Sequence, residues 1–403
     1  MMELSREEQA AAEAAGGADI LPQVERWVAV NSGTRNLAGV ATMGNLLANA
    51  FSALPGDIAM VEPTPVEAVR ADGVVETLDH GRHLHLTVRP DAPVQMLFTG
   101  HMDTVFPVDH PFQNATWRDD GALNAPGAAD MKGGLALMLA ALEAVEQSSL
   151  APQFGYEVVI NSDEETGSFS SAALIERAAH GKVAALTYEP ALPDGTLAGA
   201  RGGTGNFSIL IRGQSAHAGR NPDDGRNAVL AAAAIALELA KARAPTLSVN
   251  PAKIDGGGPN NVVPDLAILR VNFRPHCAAE IERARAAIDN AVAMVARDHD
   301  VRIEVHGSFN RPPKPIDPAA ERLFHLVRDV GAALGQPIAW KATGGVCDGN
   351  NIAACGVPVI DTMGARGGAI HSSDEFMIPE SLGERAALSA ATILRIIANK
   401  GLS

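Results

Sequence analysis

Apolar and polar residues follow two different patterns along this chain. In the first half, short apolar or alternating runs are separated by segments with apolar residues at helical spacing. Strand-like and helix-like patterns that alternate in this way are typical of an α/β sheet covered by helices. The predicted strands are residues 83–88, 94–99, 156–160 and 184–187, and the predicted helices are residues 135–145 and 171–179.

The pattern changes near residue 200. From there the chain reads strand, helix, strand, helix, strand, which predicts a compact α+β unit with its own core. The strands are residues 206–212, 266–272 and 301–306, and the helices are residues 224–242 and 279–297. A Pro-rich segment, residues 311–318, follows and predicts a linker. The first pattern then resumes with a helix at residues 321–334 and short strands at residues 338–340 and 357–361.

These patterns predict two domains, one inserted into the other. The chain has 403 residues, which is more than one hydrophobic core usually organises. We expect an α/β domain with a mixed, mostly parallel sheet flanked by helices, formed by residues 1–199 and 314–403. Residues 200–313 would form the smaller inserted α+β sandwich.

Composition narrows the class of protein. The chain is 46% hydrophobic and 20% charged, which is globular composition, and its formal net charge is -15. Such a surface repels phosphate backbones and anionic lipids, so neither nucleic acid nor a membrane is an expected partner. The acidic N-terminus does not resemble a signal peptide. Cys277, Cys347 and Cys355 form no C-x-x-C pair and are expected to be reduced thiols in a cytoplasmic protein.

Polar side chains follow three of the predicted strands. His101 and Asp103 follow residues 94–99, Glu164 and Glu165 follow residues 156–160, and Glu189 follows residues 184–187. In open α/β sheets, ligands gather at the carboxyl ends of strands. Taken singly, each fragment is also explained by an ordinary turn or a solvated acidic segment.

Two further candidates lie in Gly-rich segments. Asp130 precedes an apolar helix, where capping is the plainer interpretation, and His371 lies in the loop of residues 367–376. A carboxylate can also bridge two metal ions with its two oxygens. Together, two imidazoles and several carboxylates suit a pair of zinc ions, with one acid left over as a base.

Five motifs make this combination specific. The segments TGHMDTV, APGAADMKGG, SDEETGS, YEP and IHSSDEF occur in this order. They resemble the motifs of the zinc exopeptidase and deacylase family, which includes glutamate carboxypeptidase, acetylornithine deacetylase and succinyl-diaminopimelate desuccinylase. The resemblance extends from about residue 21 to the C-terminus, and the YEP form is closer to the glutamate carboxypeptidase branch.

The resemblance implies a role for each candidate. Two zinc ions would be held by Asp130 as the bridge, by His101 and Glu189 on one ion, and by Glu165 and His371 on the other. Glu164 would be the general base, and Asp103 would support His101. Cobalt or manganese would also suit such ligands. The family also tends to have a cis peptide bond directly after the bridging aspartate.

The inserted domain resembles the family's lid and dimerisation domain. In GQSAHAG, His217 would reach the active site of a second subunit of a homodimer, although a surface-loop histidine is the plainer interpretation. Asn261 and Arg274 would grip the substrate carboxylate, with Arg270 as the competing candidate. Residues 343–351, TGGVCDGNN, resemble a Gly-rich substrate loop in which Cys347 replaces a smaller residue.

The resemblance implies a hydrolase that cuts an amide bond adjacent to a free carboxylate and releases a C-terminal amino acid. Its substrate would be a small N-acyl amino acid or a short peptide. One alternative is an N-acyl-amino-acid deacylase of the acetylornithine deacetylase or desuccinylase type, and another is a non-catalytic binding homologue. His83 and His85 mimic a metal pair, but we expect them on an exposed strand face.

Overall fold

The computed structural model describes residues 3–402. Its helices are α1 (Arg6–Gly16), α2 (Leu21–Val28), α3 (Leu37–Phe51), α4 (Gly133–Glu146), α5 (Ala172–Ala179), α6 (Ala228–Ala240), α7 (Ala278–His299), α8 (Pro318–Ala333), α9 (Asp348–Ala354) and α10 (Glu380–Ala398). Its strands are β1 (Asp57–Val61), β2 (Val66–Val69), β3 (Val75–Leu78), β4 (His83–Val88), β5 (Val94–His101), β6 (Thr116–Trp117), β7 (Leu123–Asn124), β8 (Phe154–Asn161), β9 (Ala184–Thr187), β10 (Leu197–Arg201), β11 (Thr204–Arg212), β12 (Ala216–His217), β13 (Leu247–Gly256), β14 (Val262–Val263), β15 (Leu266–Pro275), β16 (Arg302–Arg311), β17 (Trp340–Thr343), β18 (Val359–Ile360), β19 (Gly367–Gly368) and β20 (Phe376–Met377).

A six-stranded sheet in the order β1-β4-β8-β5-β9-β18 forms the centre of the larger domain. Strand β4 runs antiparallel to both neighbours, whereas β8, β5, β9 and β18 run parallel to one another. The predicted mixed, mostly parallel sheet is therefore confirmed. Strand β5 is buried along almost its whole length, which its continuous apolar run permits because both faces of the sheet are covered.

Helix α4 packs beside this sheet and is buried along almost its whole length. Glu143 and Glu146 are only partly buried, and the other side chains of the helix are buried. Helices α1 and α10 pack on α4 and on each other. A helix that is apolar on all sides needs such enclosure, because any exposed face would leave apolar surface in water.

The inserted segment forms an antiparallel four-stranded sheet in the order β13-β15-β11-β16. Helices α6 and α7 cover one face and share a hydrophobic cluster with it that is distinct from that of the larger domain. The separate clusters support the predicted division of the chain, whose boundaries stay a prediction. Helix α6 begins at Ala228, later than predicted, because the Asn227 side chain accepts a hydrogen bond from the Leu230 amide and caps the helix.

The other face of this inserted sheet contacts the larger domain. Strands β2 and β3 form a hairpin whose Val69 packs against Leu210 and Ile268. The hairpin is also held by its backbone, since Arg270 donates to the Val69 carbonyl at 2.7 Å and Arg212 to the Gly73 carbonyl at 2.8 Å. The sequence analysis predicts no element before residue 83, so this contact was not expected.

The Pro-rich linker is shorter than the predicted residues 311–318. Strand β16 continues to Arg311 and α8 begins at Pro318, where Asp317 caps the helix. Within the segment, Lys314 pairs through its backbone with Arg201. Of the helices between residues 3 and 402, none combines the length and apolar composition that a membrane crossing requires.

The burial of α4 leads to a stability prediction. Replacing Leu137, which is 0% exposed, with Ala should lower the free energy of unfolding by about 2–5 kcal/mol, because it leaves a cavity in the core. Urea unfolding followed by circular dichroism measures the change. The matched control is Leu230→Ala on α6, where the side chain is 60% exposed and the expected change is within about 0.5 kcal/mol. Equal losses in the two variants would contradict the burial assigned to α4.

Candidate metal centre

Three neighbouring parallel strands deliver acidic and imidazole side chains to one edge of the central sheet. Strand β5 ends at His101, which lies opposite Asn161 at the end of β8. Glu164 and Glu165 lie in the turn just after β8, and Glu189 lies just after β9. Because parallel neighbours end at the same edge, side chains far apart in sequence meet there.

Asp130 joins this group from a turn before α4. Its backbone has φ -114° and ψ 86°, so it is outside the helix, and Lys132 occupies the N-cap position. The capping interpretation of Asp130 is therefore wrong. The buried carboxylate of Glu375 fixes the turn by accepting hydrogen bonds from the amides of Gly127, Ala129 and Asp130 at 3.0–3.1 Å. The Asp130–Met131 peptide bond is cis, as the resemblance implies.

The carboxylate of Asp130 lies between two imidazoles. Its Oδ1 is 3.1 Å from His101 Nε2, and its Oδ2 is 3.3 Å from His371 Nε2. The second carboxylate near the Nε2 atom of His101 belongs to Glu189, at 3.9 Å. The second carboxylate near His371 belongs to Glu165, at 3.2 Å. The five predicted metal ligands are thus brought together, with one Asp130 oxygen directed to each half of the cluster.

Asp103 holds both His101 and the acidic turn in place. The Nδ1 atom of His101 is 3.0 Å from the Asp103 carbonyl oxygen and 3.4 Å from its carboxylate. That carboxylate accepts hydrogen bonds from the amides of Glu164 and Glu165 and from the Thr34 hydroxyl. A hydrogen bond at Nδ1 leaves Nε2 of His101 directed at Asp130, which is the arrangement a metal-binding histidine needs.

The concentrated negative charge changes the ionisation of the cluster. Burial raises the pKa of Glu165 to about 8, and the charge on Asp130 adds to the effect. The pKa of Glu189 is raised well above its ordinary value for the same two reasons. Burial would raise the pKa of Asp130 too, but hydrogen bonds with His101 and His371 lower it below the ordinary value. Hydrogen bonds to Asp130 and Glu165 raise the pKa of His371 to about 11.

This donor set suits divalent cations. Two groups of three potential ligand atoms occur, and the atoms within each group lie within 4.8 Å of one another. One group comes from His101, Asp130 and Glu165, and the other from His101, Glu164 and Glu189. Imidazole nitrogens and carboxylate oxygens are the ligands that zinc accepts in hydrolases. A bound cation would offset the repulsion among the carboxylates, whereas an apolar or anionic ligand would increase it.

Arg311 is a member of the site that sequence reasoning missed. Its guanidinium is buried, with Nη2 2.6 Å from Glu164 Oε1 and Nη1 2.7 Å from Asp348 Oδ1. Burial raises the pKa of Glu164 to about 7, although the charge of Arg311 opposes the rise. The sequence placed Arg311 at the start of a linker, and no local pattern marks an arginine that pairs across 147 positions.

The two candidate arginines of the inserted domain lie in different places. Arg274 borders a cavity that also touches Glu164, Glu165 and His371. Arg270 is used structurally, because it bonds the Val69 carbonyl, the Ser208 hydroxyl at 2.6 Å and the Asp255 carboxylate at 3.2 Å. Arg270 also borders a larger cavity, of about 630 Å³, beside the β2–β3 hairpin. The acidic turn contributes only Thr166 to the lining of this cavity.

His217 and Asn261 are not brought to the cluster of this chain. Both are exposed, and they are neighbours because His217 pairs with Val262 and the Ala218 amide donates to the Asn261 carbonyl. The Nδ1 atom of His217 accepts a hydrogen bond from the Gly219 amide at 3.1 Å. The two residues therefore form one exposed tip of the inserted domain.

The H-x-H pair on β4 differs from the prediction. His83 is 0% exposed, and its ring lies 3.3 Å from the Ser162 hydroxyl and 3.4 Å from that of Ser170. His85 is partly buried and pairs with Glu157 at 2.6 Å. The predicted exposure was wrong because residues after β8, Ser162 and Ser170, lie against the His83 ring, and Glu157 of β8 pairs with His85.

Comparisons with known proteins agree with this geometry. The model of peptidase family M20/M25/M40 matches residues 97–395. The chain is 26% identical over 391 residues to carboxypeptidase G2 of Pseudomonas sp. (strain RS-16), covering 94% of this chain and 90% of that protein. It is 27% identical to a succinyl-diaminopimelate desuccinylase of Verminephrobacter eiseniae (strain EF01-2), covering 70% and 74%. A crystallised tripeptidase from Staphylococcus aureus has the same fold, with a TM-score of 0.69 at 23% identity over 99% of this chain and 100% of that one.

The position of Asp130 leads to a prediction about metal content. Asp130→Asn should lower the metal bound per chain by more than His101→Ala or His371→Ala, because Asp130 faces both halves of the cluster. Elemental analysis of the purified protein measures the content. His276→Ala is the control, since His276 is exposed and borders a cavity that none of the candidate ligands lines, and its metal content should be unchanged. Full metal content in Asp130→Asn would contradict the bridging position.

Proposed function

Since the chain belongs to peptidase family M20/M25/M40, we propose that it is a two-zinc hydrolase that cuts an amide bond next to a free carboxylate. The product would be a C-terminal amino acid, as for a glutamate carboxypeptidase. The observation that carries the proposal is the placement of Asp130 between the Nε2 atoms of His101 and His371, with Glu189 beside the first and Glu165 beside the second.

The cluster would hold two ions. His101, Asp130 and Glu189 would bind one ion, and Asp130, Glu165 and His371 the other. Two such cations, when bound, supply Lewis acidity and lower the pKa of a water molecule so that hydroxide is available near neutral pH. Cobalt or manganese in place of zinc is compatible with the same oxygen and nitrogen ligands.

Glu164 would move the proton. Its carboxylate is buried beside the ligands and is not needed by either ligand group as proposed, so it is available to accept and return a proton. Arg311 holds one oxygen at 2.6 Å, which fixes the carboxylate orientation and leaves the other oxygen for the proton. Glu164 would take a proton from the attacking water and deliver it to the departing amine.

Arg274 would bind the free carboxylate of the substrate. It lies on β15 beside the cavity that reaches Glu164 and His371. A guanidinium can donate two parallel hydrogen bonds to a carboxylate, which fixes the orientation as well as the affinity. A short peptide or small N-acyl amino acid would then have its amide bond placed at the metal ligands.

A second subunit would complete the site. His217 would stabilise the oxyanion in the partner's site, and Asn261 would enter the same site because the two residues lie on one tip. This supports a homodimer formed through the inserted domain. A cytoplasmic location is also proposed, and the three unpaired cysteines are consistent with it.

An N-acyl-amino-acid deacylase is the second candidate function. The observation that favours it is the similarity to a succinyl-diaminopimelate desuccinylase. Both candidate functions use the same metal ligands and the same base, and they differ in which half of the amide is selected. The choice between them therefore depends on the cavities on the two sides of the metal centre.

The role of Glu164 can be tested by an isosteric substitution. Glu164→Gln should keep the metal content and lower kcat by at least about 10²-fold, because the amide cannot accept the proton. Elemental analysis and turnover of an N-acyl glutamate measure the two effects. Glu143→Gln on α4 is the control and should be fully active. An active Glu164→Gln protein would rule out this residue as the base.

The two arginines offer a matched comparison. Arg274→Ala should raise KM by about 10- to 100-fold, which is the effect of losing hydrogen bonds to a charged group. Arg270→Ala should leave KM nearly unchanged and should instead lower stability, because it loses its contact with the β2–β3 hairpin. Steady-state kinetics and thermal unfolding separate the effects, and a reversed pattern would identify Arg270 as the carboxylate-binding residue.

A further inference from the structure

Two cavities meet at the metal centre and differ in chemistry. One, of about 440 Å³, is lined by Arg274, Asn206 and Asn310 and is called here the polar cavity. The other, of about 280 Å³, lies on the Glu189 side and is called the second cavity. Glu164 and His371 border both, so a substrate bond at these residues has one half of the molecule in each cavity.

The second cavity has an aliphatic wall beside the candidate ligands and three threonines, Thr196, Thr343 and Thr362. Leu192, Leu197, Ala198, Val346 and Ile370 line it. Leu192 is 38% exposed and Ile370 is 40% exposed, so two large apolar side chains remain in contact with water at the metal centre. Covering them with an apolar ligand group is favourable, because it removes apolar surface from water on both partners.

The cationic side chains of this cavity do not make it an anion site. The guanidinium of Arg201 donates to both oxygens of Asp361, at 2.7 and 3.1 Å, and to the Gly345 carbonyl at 3.0 Å. Lys314 also contacts Asp361, at 3.0 Å, and each of the three guanidinium nitrogens of Arg201 is already bonded within the fold. Lys341 is exposed, where water screens its charge.

We infer that the second cavity receives an apolar acyl group, aliphatic or aromatic, while the polar cavity receives the carboxylate-bearing amino acid. The inference rests on the proposed function. A volume of about 280 Å³ has room for about nine water-sized groups. This limits the acyl part to roughly the size of a hexanoyl or phenylacetyl group. The exposed side chains of Leu192 and Ile370 favour an apolar acyl group over a dicarboxylic one such as succinyl.

A substrate series tests the inference. With glutamate constant as the leaving amino acid, kcat/KM of the metal-loaded enzyme should rise roughly fourfold per added methylene from acetyl through butanoyl to hexanoyl. The decisive pair is 4-methylpentanoyl and succinyl, which have the same number of non-hydrogen atoms. The apolar member should be preferred by at least about tenfold, since burying a carboxylate without a partner is costly.

Two variants assign the effect to the cavity. Leu192→Ala should lower kcat/KM for the hexanoyl substrate more than for the acetyl substrate, so that the advantage of hexanoyl falls several-fold. Leu46→Ala is the matched control, because Leu46 is 37% exposed on α3 and does not line the cavity. Lys341→Met should leave the ratio of 4-methylpentanoyl to succinyl unchanged within about twofold.

The outcomes separate this inference from the function on which it rests. If no N-acyl glutamate were hydrolysed by metal-loaded enzyme, and no other N-acyl amino acid either, the proposed function would fail and the inference with it. If succinyl glutamate were cleaved as well as or better than the 4-methylpentanoyl compound, the inference would be overturned while the function stood. Loss of that succinyl preference in Lys341→Met would then assign the cavity to anionic acyl groups.

Discussion

The meeting of several carboxylates at one buried sheet edge is the constraint on which the rest of the site depends. Glu165, Glu189 and Asp130 would repel one another there, and burial alone makes their charged forms costly. Two imidazoles lie between them, each within 3.3 Å of Asp130. The arrangement favours bound cations, because these offset the repulsion and satisfy the lone pairs that water would otherwise solvate.

Support for this cluster comes from two buried acids that are not ligands in the proposed centre. Asp103 accepts hydrogen bonds from the amides of Glu164 and Glu165 and lies against His101, so one side chain positions a histidine and an acidic turn together. Glu375 holds the turn that contains Asp130 by accepting hydrogen bonds from three backbone amides. Rigid backbone of this kind keeps the ligands in place before a substrate arrives, which limits reorganisation during the reaction.

The inserted domain contributes in two different ways. Its sheet is attached to the larger domain through the β2–β3 hairpin, where Val69 packs on Leu210 and Ile268. Arg274 approaches the metal centre from this sheet, whereas the tip with His217 and Asn261 remains exposed in the single chain. A site assembled from both domains can therefore change with the position of the inserted domain, while the metal ligands, all on the larger domain, stay fixed.

The sequence by itself determined most of the strands and helices between residues 83 and 360, the mixed parallel sheet and the family. It also located Asp130 and the four side chains that meet around it. His101, Glu165 and Glu189 follow apolar strands, whereas Asp130 and His371 lie in motifs that resemble those of the family. Only the tertiary structure decided which long-range partners act on them. The pairing of Arg311 with Glu164, the structural use of Arg270, the burial of His83 and the meeting of the polar and the second cavity depend on residues that are distant in sequence. Such contacts leave no periodicity or motif, since the chain returns to the same place from different elements.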